Sequence, residues 1–524
     1  MRRPAFLLGL LAFLLAVVVQ SGDLGSSDTA HRLQAAHSFW TPQPPVFPGE
    51  YPEFGIHGRG GKLYGWYGIG QSLLMLPFDV IGTYAAQLRI FSHYSDDPSI
   101  RSIVVVYSLN PLISVLTALV CFRLLRWFDF SVNESIAGVL ALLFCTTHLH
   151  YTQNMMENNY IMLLTLTGLA FQYRWLRTGN RRALIIGSSA LGLNLLTRLT
   201  TGMDLFALGV FLLLFCRWSG IRGKELLARI ISYLKVAAPI YAVFVLLDRT
   251  YQFYRFGSFF NTYLSVFGRE MKMLDPELPS NYPFETPFHV GFFGALFQPE
   301  KSILLFDPLL ILTAMVVLLL WKRFRPEIKA YVLTFVLLLF AYISFYARYT
   351  VWSGDFAWGD RYVSTAAELV AFISVPLLLR YCEHLGRFVR GLGIALVAAT
   401  AVIQLASLAF WVPLEIYQME TLGHPTFVIA LRYKNIAAFA LGKMQAWGLL
   451  NYAMKWDEWD YVRITTWNFL PFVLKRTGAA PPWVVKTITI LWLAGVAAVL
   501  GLLLTIWRRV KHGEFEIKAD SAAA

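Results

Sequence analysis

The residues best placed to do chemistry begin with two carboxylates, Asp23 and Asp28. They lie in Gly22-Asp23-Leu24-Gly25-Ser26-Ser27-Asp28-Thr29-Ala30-His31-Arg32, just after a hydrophobic tract from Ala5 to Gln20. Carboxylates at the mouth of a membrane bundle are costly unless they face water or a site. The stretch therefore points to chemistry at a membrane surface, on the side away from the N-terminus. A second set, His148, His150 and Glu157, has metal-ligand types, but the His pair lacks the i,i+4 spacing that puts two ligands on one helix face. No metal or other cofactor is expected. Gly58-Arg59-Gly60-Gly61-Lys62 is glycine-rich without the spacing of a phosphate-binding loop or a preceding strand, and reads as a turn before an interfacial helix. No G-x-S-x-G nucleophile elbow occurs, and the first outer loop has no D-x-D.

These residues must be positioned by membrane-spanning helices. The 524 residues are 57% hydrophobic and 15% charged, with a mean hydropathy of +0.54. A soluble protein of this size could not hide so much apolar surface. The net charge of +13 sits mostly in short loops between apolar runs, as the positive-inside rule requires, so nucleic acid is not an expected partner. Cys121, Cys145, Cys216 and Cys382 show neither metal spacing nor a disulfide framework. Met1–Gln20 has a charged start but no A-x-A cleavage site, and reads as a retained signal-anchor helix.

Near-continuous apolar runs of about 16 to 25 residues predict about twelve spans in an all-α polytopic membrane protein. They are Ala5–Gln20, Ser102–Leu125, Ser135–His148, Asn159–Leu176, Ala183–Thr197, Met203–Cys216, Ile230–Leu247, Ser302–Trp321, Ala330–Tyr346, Tyr362–Leu379, Leu392–Trp411 and Val485–Trp507. With the N-terminus cytoplasmic, every cytoplasmic loop is basic. Ser21–Ile100, Asp248–Lys301 and Val412–Lys486 then lie outside, and both termini lie inside. Ile69–Ile90, interrupted by Pro77, Asp79 and Gly82, must not span, and fits an interfacial helix. The outer segments are rich in aromatics, as an interfacial belt would be.

Five pieces carry a family resemblance. They are Asp28-Thr29-Ala30-His31-Arg32-Leu33-Gln34-Ala35-Ala36, the run Gly61 to Pro77 with Tyr64, Trp66 and Tyr67, Leu196-Thr197-Arg198, Arg255-Phe256-Gly257 followed by Gly291 to Pro299, and Trp352 to Tyr362. In this order they resemble the GT-C superfamily of integral-membrane glycosyltransferases, especially the bacterial protein O-mannosyltransferase and lipid A aminoarabinose transferase branch. Thr29 stands where many relatives carry Glu, and Asp360 where relatives often have Pro. The resemblance, which covers about the first 380 residues, implies a GT-C-like bundle over 1–411 with its outer loop at 21–100. The charge pattern and the Trp and Phe content give an outer, membrane-associated segment at 412–486, which matches nothing in the family, and a last helix and tail at 487–524. It implies an inverting, metal-independent transfer from a polyprenyl-phosphate sugar donor to a glycan, lipid or protein acceptor. The implied place is a bacterial inner membrane, among membrane lipids, with the site facing the periplasm.

The resemblance also suggests roles. Asp28 is the first choice for the base and Asp23 the rival; N-capping of a predicted helix Thr29–Ala36 is the plain alternative for Asp28. Arg198 and Arg361 sit on the outer side, where the positive-inside rule does not favour them, and can bind a donor phosphate through a bidentate fork. Asp204 could pair with Arg198 instead, and Asp355 and Asp360 with Arg361. Lys62 and Arg59 meet phosphate or lipid headgroups. Glu157, Tyr64, Tyr67 and Asp360 are expected at the acceptor cavity. A transporter or flippase, and a non-catalytic assembly subunit, are the competing classes; no internal repeat supports the first.

Overall fold

In lipid every backbone N–H and C=O must be satisfied within the chain, so apolar runs resolve into helices. The computed structural model describes residues 2–48, 54–91, 94, 98–451 and 464–515. The first half contains α1 (Arg2–Val18), α2 (Ser27–His37), α3 (Gly70–Ala86), α4 (Ile100–Trp127), α5 (Val132–Phe144), α6 (His148–Gln153), α7 (Asn158–Thr178), α8 (Arg181–Thr197), α9 (Gly202–Trp218) and α10 (Gly223–Phe256). The second contains α11 (Tyr263–Leu274), α12 (Phe288–Phe297), α13 (Ile303–Phe306), α14 (Leu309–Leu320), α15 (Pro326–Tyr346), α16 (Ser364–Phe372), α17 (Ser374–Arg380), α18 (Arg387–Ser407), α19 (Pro413–Glu420), α20 (Val428–Ala440), α21 (Leu470–Thr477) and α22 (Pro482–Lys511). A two-residue hairpin, β1 (Ile56–His57) against β2 (Leu63–Tyr64), is antiparallel and is the sole sheet among the described residues.

Six of these helices are long and apolar enough to cross a membrane, and α1, α5 and α12 are shorter apolar ones. Two expected spans are broken. Ser302–Trp321 divides into α13 and α14 around Asp307 and Pro308, and Tyr362–Leu379 divides into α16 and α17 at Ile373. Proline lacks the N–H of a continuing helix, and Asp307 takes the Thr147 N–H and hydroxyl at 2.9 and 3.1 Å. Apolar content alone does not register such a break.

The bundle has two poles. At one, Asp129 between α4 and α5 accepts from Arg177 at 3.3 Å and Arg325 at 2.8 Å, and Glu134 accepts from Arg380 at 2.9 Å. Ser131 and Glu134 close α5 with a reciprocal capping box. This is the basic pole, the one that the charge pattern assigns to the cytoplasm. At the other lie the loops after α1, α6, α8 and α15.

α3 belongs to the second pole. A Cβ on Gly70 would lie 2.4 Å from Thr197 Oγ1, at the end of α8, and one on Gly82 would lie 2.9 Å from Arg101 Cα, at the start of α4. Both halves of α3 thus pack on helix ends of the same pole. Fully buried Asp79 fastens it there, accepting from Arg101, from His37 at 2.9 Å and from Trp40 at 2.7 Å.

The segment after α18 closes the same mouth. Gln153 Nε2 donates to Val19 O at 2.8 Å, Leu408 O at 3.1 Å and Asn468 O at 2.7 Å. Within it, Arg432 and Glu415 form a fully buried ion pair at 2.7 Å.

Single cysteines tested in a Cys382→Ser background read the threading, since the other three cysteines are buried. Cysteines at Lys62 and Leu88 should both label with an impermeant maleimide in intact cells. A cysteine at Lys224 should label only after permeabilisation. Opposite labelling of Lys62 and Leu88 positions would contradict the placement of α3.

Candidate functional site

The second pole holds a cluster of five ionisable side chains drawn from α2, the α6–α7 loop, the end of α8 and the loop before α16. Its first member depends on how α2 starts. Ser26 is the N-cap, its Oγ accepting from Thr29 N at 3.3 Å. Asp28 therefore lies in the first helical turn and is not the cap. Gly25 precedes it at φ 82°, where a Cβ would stand 2.6 Å from Asn154 Oδ1. Only glycine allows that turn and that approach together. Thr29 is fully buried and donates to Met155 O at 2.7 Å, locking α2 onto the loop that carries Glu157.

Residues four apart share a helix face, so Asp28 and Arg32 point the same way. Asp28 Oδ2 accepts from Arg361 Nη1 at 2.5 Å. Glu157 Oε2 forms an ion pair with Arg32 Nη2 at 2.6 Å, and its Oε1 accepts from Arg198. Aromatic rings frame the guanidinium groups. Arg32 lies 3.9 Å over Tyr67; Tyr362 faces Arg198 at 5.4 Å and Arg361 at 5.2 Å. Three guanidinium charges against two carboxylates leave the cluster one positive charge in excess. Two of its donors, Arg32 Nη1 and Arg361 Nε, are buried without a hydrogen-bond partner, and the Tyr67 hydroxyl stands beside Asp28. Buried donors without partners are uncommon in a finished structure. Here they converge on one place.

The electrostatics follow the pairing. Burial opposes the charge on Asp28, but the Arg361 and Arg32 guanidiniums outweigh it and hold the carboxyl below its ordinary value. Burial likewise opposes ionisation of Glu157, and Arg32 and Arg198 push its carboxyl well down. Asp360 goes the other way: burial raises it to about 7 even though Tyr362 N–H donates to it at 3.0 Å. Lys301 is depressed by burial to about 8, and donates to the backbone carbonyls of Asp355 and, at 3.1 Å, Ala357.

Of the residues expected from sequence, Asp28, Glu157, Arg198, Arg361 and Tyr67 come together. Asp23 lies in a turn of its own before α2, its Oδ1 accepting from Leu24 N at 2.6 Å, and the segment joining it to Asp28 is not helical. Asp204 does not pair with Arg198; it bonds Thr165 at 2.6 Å and Tyr342 at 2.9 Å. Asp360 braces the turn that presents Arg361. Tyr64 is buried in β2, edge-on to Tyr254 at 6.0 Å and Phe256 at 6.3 Å, where it fastens the hairpin to α10. Arg59 and Lys62 are exposed at the tip of that hairpin, away from the cluster, with Arg59 5.8 Å from the Phe253 ring. His148 faces Glu368 at 3.9 Å, so it forms no trio with Glu157.

Sequence reasoning missed Arg32 as a site residue, although its i+4 spacing from Asp28 was a readable signal. It also gave no role to Arg255. That residue is 1% exposed and donates to Gly65 O at 2.6 Å and Tyr67 O at 3.0 Å, setting the backbone that carries Tyr67. On its other side this segment abuts α8: a Cβ on Gly68 would lie 2.2 Å from Leu196 O.

No family model matches the chain, and no curated protein sequence matches it significantly. Among solved structures it is similar to the Archaeoglobus fulgidus oligosaccharyltransferase in its apo form, at 14% identity and a TM-score of 0.43 over 88% of this chain and 63% of that one. It is similar to ArnT from Cupriavidus metallidurans bound to undecaprenyl phosphate, at 13% identity and a TM-score of 0.37 over 89% of this chain and 83% of that one. A third similar structure is the Archaeoglobus oligosaccharyltransferase AglB in complex with an inhibitory peptide and a dolichol-phosphate, at 13% identity and a TM-score of 0.41 over 89% and 63%. The chain thus spans less than two thirds of the archaeal enzyme's length.

Removing one partner of a buried ion pair costs roughly 3–5 kcal/mol because the other charge is left alone. Glu157→Gln, which strands both Arg32 and Arg198, should lower the unfolding temperature in detergent. An unchanged unfolding temperature would show that Glu157 does not hold the cluster together.

Proposed function

We propose that this chain is an integral-membrane glycosyltransferase. It moves a sugar from a polyprenyl-phosphate-linked donor to an acceptor at the outer, periplasmic face of a bacterial inner membrane, with inversion and without a metal. The observation that carries this reading is the arginine cluster, one positive charge in excess, with unsatisfied buried donors on Arg32 and Arg361 beside a carboxylate.

A phosphodiester carries one negative charge, matching that excess. As the sugar–phosphate bond breaks, its electron pair passes to the phosphate oxygen and the leaving group gains charge. Preorganised guanidinium forks stabilise such charge where it develops. The acceptor supplies an O–H or N–H. Asp28 takes its proton while the acceptor atom forms the new bond to the anomeric carbon from the opposite side. Glu157 supplies the second carboxylate that Thr29 does not, and its task is to hold Arg32 and Arg198 in register. The first residue of the resemblance and the arginines of the third and fifth pieces thereby act at one place.

A general base works best with a pKa near the operating pH. In the empty site Asp28 lies below its ordinary value, because burial is outweighed by Arg361 and Arg32. A bound phosphate offsets those charges, so donor binding raises the proton affinity of the base at the moment it is needed. Which sugar is moved is set by contacts on the donor's far side. Glycan, lipid and protein acceptors all fit a cell-envelope role.

Three measurements on purified protein test this reading. Asp28→Asn should lower transfer by about 10²–10⁴-fold, with folding checked separately; near-normal turnover would remove Asp28 from the mechanism. Arg198→Lys should lose most activity, since an ammonium cannot reproduce a bidentate fork; unchanged donor affinity in both Arg198→Ala and Arg361→Ala would dismiss the phosphate site. Activity should fall as pH drops and Asp28 is protonated. The acid limb of kcat/KM for donor, which reports the free enzyme, should lie at lower pH than the limb of kcat. The reverse order would contradict donor-linked activation.

A further inference from the structure

The opposite pole carries a feature that sugar transfer does not use. Between α1, α4 and the C-terminal end of α7 lies a groove of about 990 Å³, at the upper end of the roughly 300–1,000 Å³ range of ligand pockets. Phe6, Leu10 and Leu119 are among its apolar walls, and Arg123, Arg126 and Arg174 stand at its rim. The neighbouring Arg177, Arg325 and Arg380 each pair with a carboxylate. The three rim arginines have no such ion pair among the described residues. Arg126 Nε is buried without a hydrogen-bond partner, while its Nη1 donates to Phe130 O. Arg174 is held 5.4 Å over the Trp127 ring, with its charge left for another group.

The groove therefore has an apolar body and a cationic end, and that end sits at the basic pole of the bundle. Headgroups of the cytoplasmic leaflet lie at this level. A neutral lipid would fill the apolar part and leave three guanidinium charges uncompensated. An acidic protein segment would meet the arginines and leave the apolar walls bare. The geometry points to a binding site for one anionic phospholipid of the inner leaflet, with its acyl chains along α1 and α4 and its phosphate among Arg123, Arg126 and Arg174.

Native mass spectrometry of the full chain in detergent tests the site, with dioleoyl phosphatidylglycerol and dioleoyl phosphatidylcholine as probes. The parent protein should retain one phosphatidylglycerol at collision energies that strip phosphatidylcholine. Replacing the rim arginines by Gln should lower that preference by about fivefold per arginine. Gly9→Leu keeps every charge and fills the groove from a position with only ordinary contacts, Val115 at 3.7 Å and Leu119 at 3.8 Å. It should lower phosphatidylglycerol retention, and carries the test if the arginine variant does not fold. Equal retention of the two lipids, or a preference that survives both variants, would overturn the site. So would a preference abolished by Arg198→Ala alone, which would place the lipid at the outer cluster. The readout is bound lipid mass, so its outcome is independent of sugar transfer.

Discussion

Three arginines and two carboxylates held together at one mouth of a membrane bundle, Arg32 and Glu157 buried and Asp28, Arg198 and Arg361 partly so, are the constraint on which the rest of the site depends. Each charge taken out of water costs several kcal/mol unless it is paired and hydrogen-bonded. The partners come from segments far apart in sequence: Asp28 meets Arg361, and Glu157 meets Arg32 and Arg198. The mouth therefore assembles as a unit. The features around it serve that assembly: the positive-φ turn at Gly25, the Thr29 bond to Met155, the Arg255 bonds under Tyr67, and the contact of Gly68 with the end of α8.

The same pairing governs chemistry. An arginine already engaged by a carboxylate is oriented but not saturated, and Arg32 and Arg361 each keep a buried donor free. In the reaction proposed above, an anion arriving at this site would redistribute the guanidinium contacts, and the carboxylate that gives up part of its partner would become the stronger base. On that proposal donor recognition and proton transfer are two consequences of one exchange of ion pairs. The cluster is costly for stability and useful for function, as buried polar networks often are.

Much of this was legible in the sequence. Basic loops fixed the two poles, and the acidic stretch after the first apolar run marked the mouth. Arg198 and Arg361 stood out because the positive-inside rule gives no reason for an arginine there. What was not legible depended on tertiary pairing. The protein partner offered to Arg198 by sequence proximity was Asp204, but Asp204 bonds Thr165 on α7 and Tyr342 on α15, and the actual partner, Glu157, lies 41 residues away in sequence. Lys62 and Arg59 looked like phosphate ligands, yet the hairpin carries their tips out toward the surface. Asp28 suited a cap by position, and Ser26 took that role because the helix starts two residues earlier than its apolar pattern suggests. The breaks at Asp307 and Ile373 were invisible for the same reason: apolar content does not record where a helix stops being continuous.

The most direct test is a structure of the chain with a polyprenyl phosphate bound. The phosphate should sit within hydrogen-bond distance of Arg361 and of Arg32 or Arg198, with the Asp28 carboxylate released from at least part of its contact with Arg361. A phosphate bound elsewhere, with the Asp28–Arg361 and Glu157 ion pairs unchanged, would contradict the central claim that this cluster is the donor site.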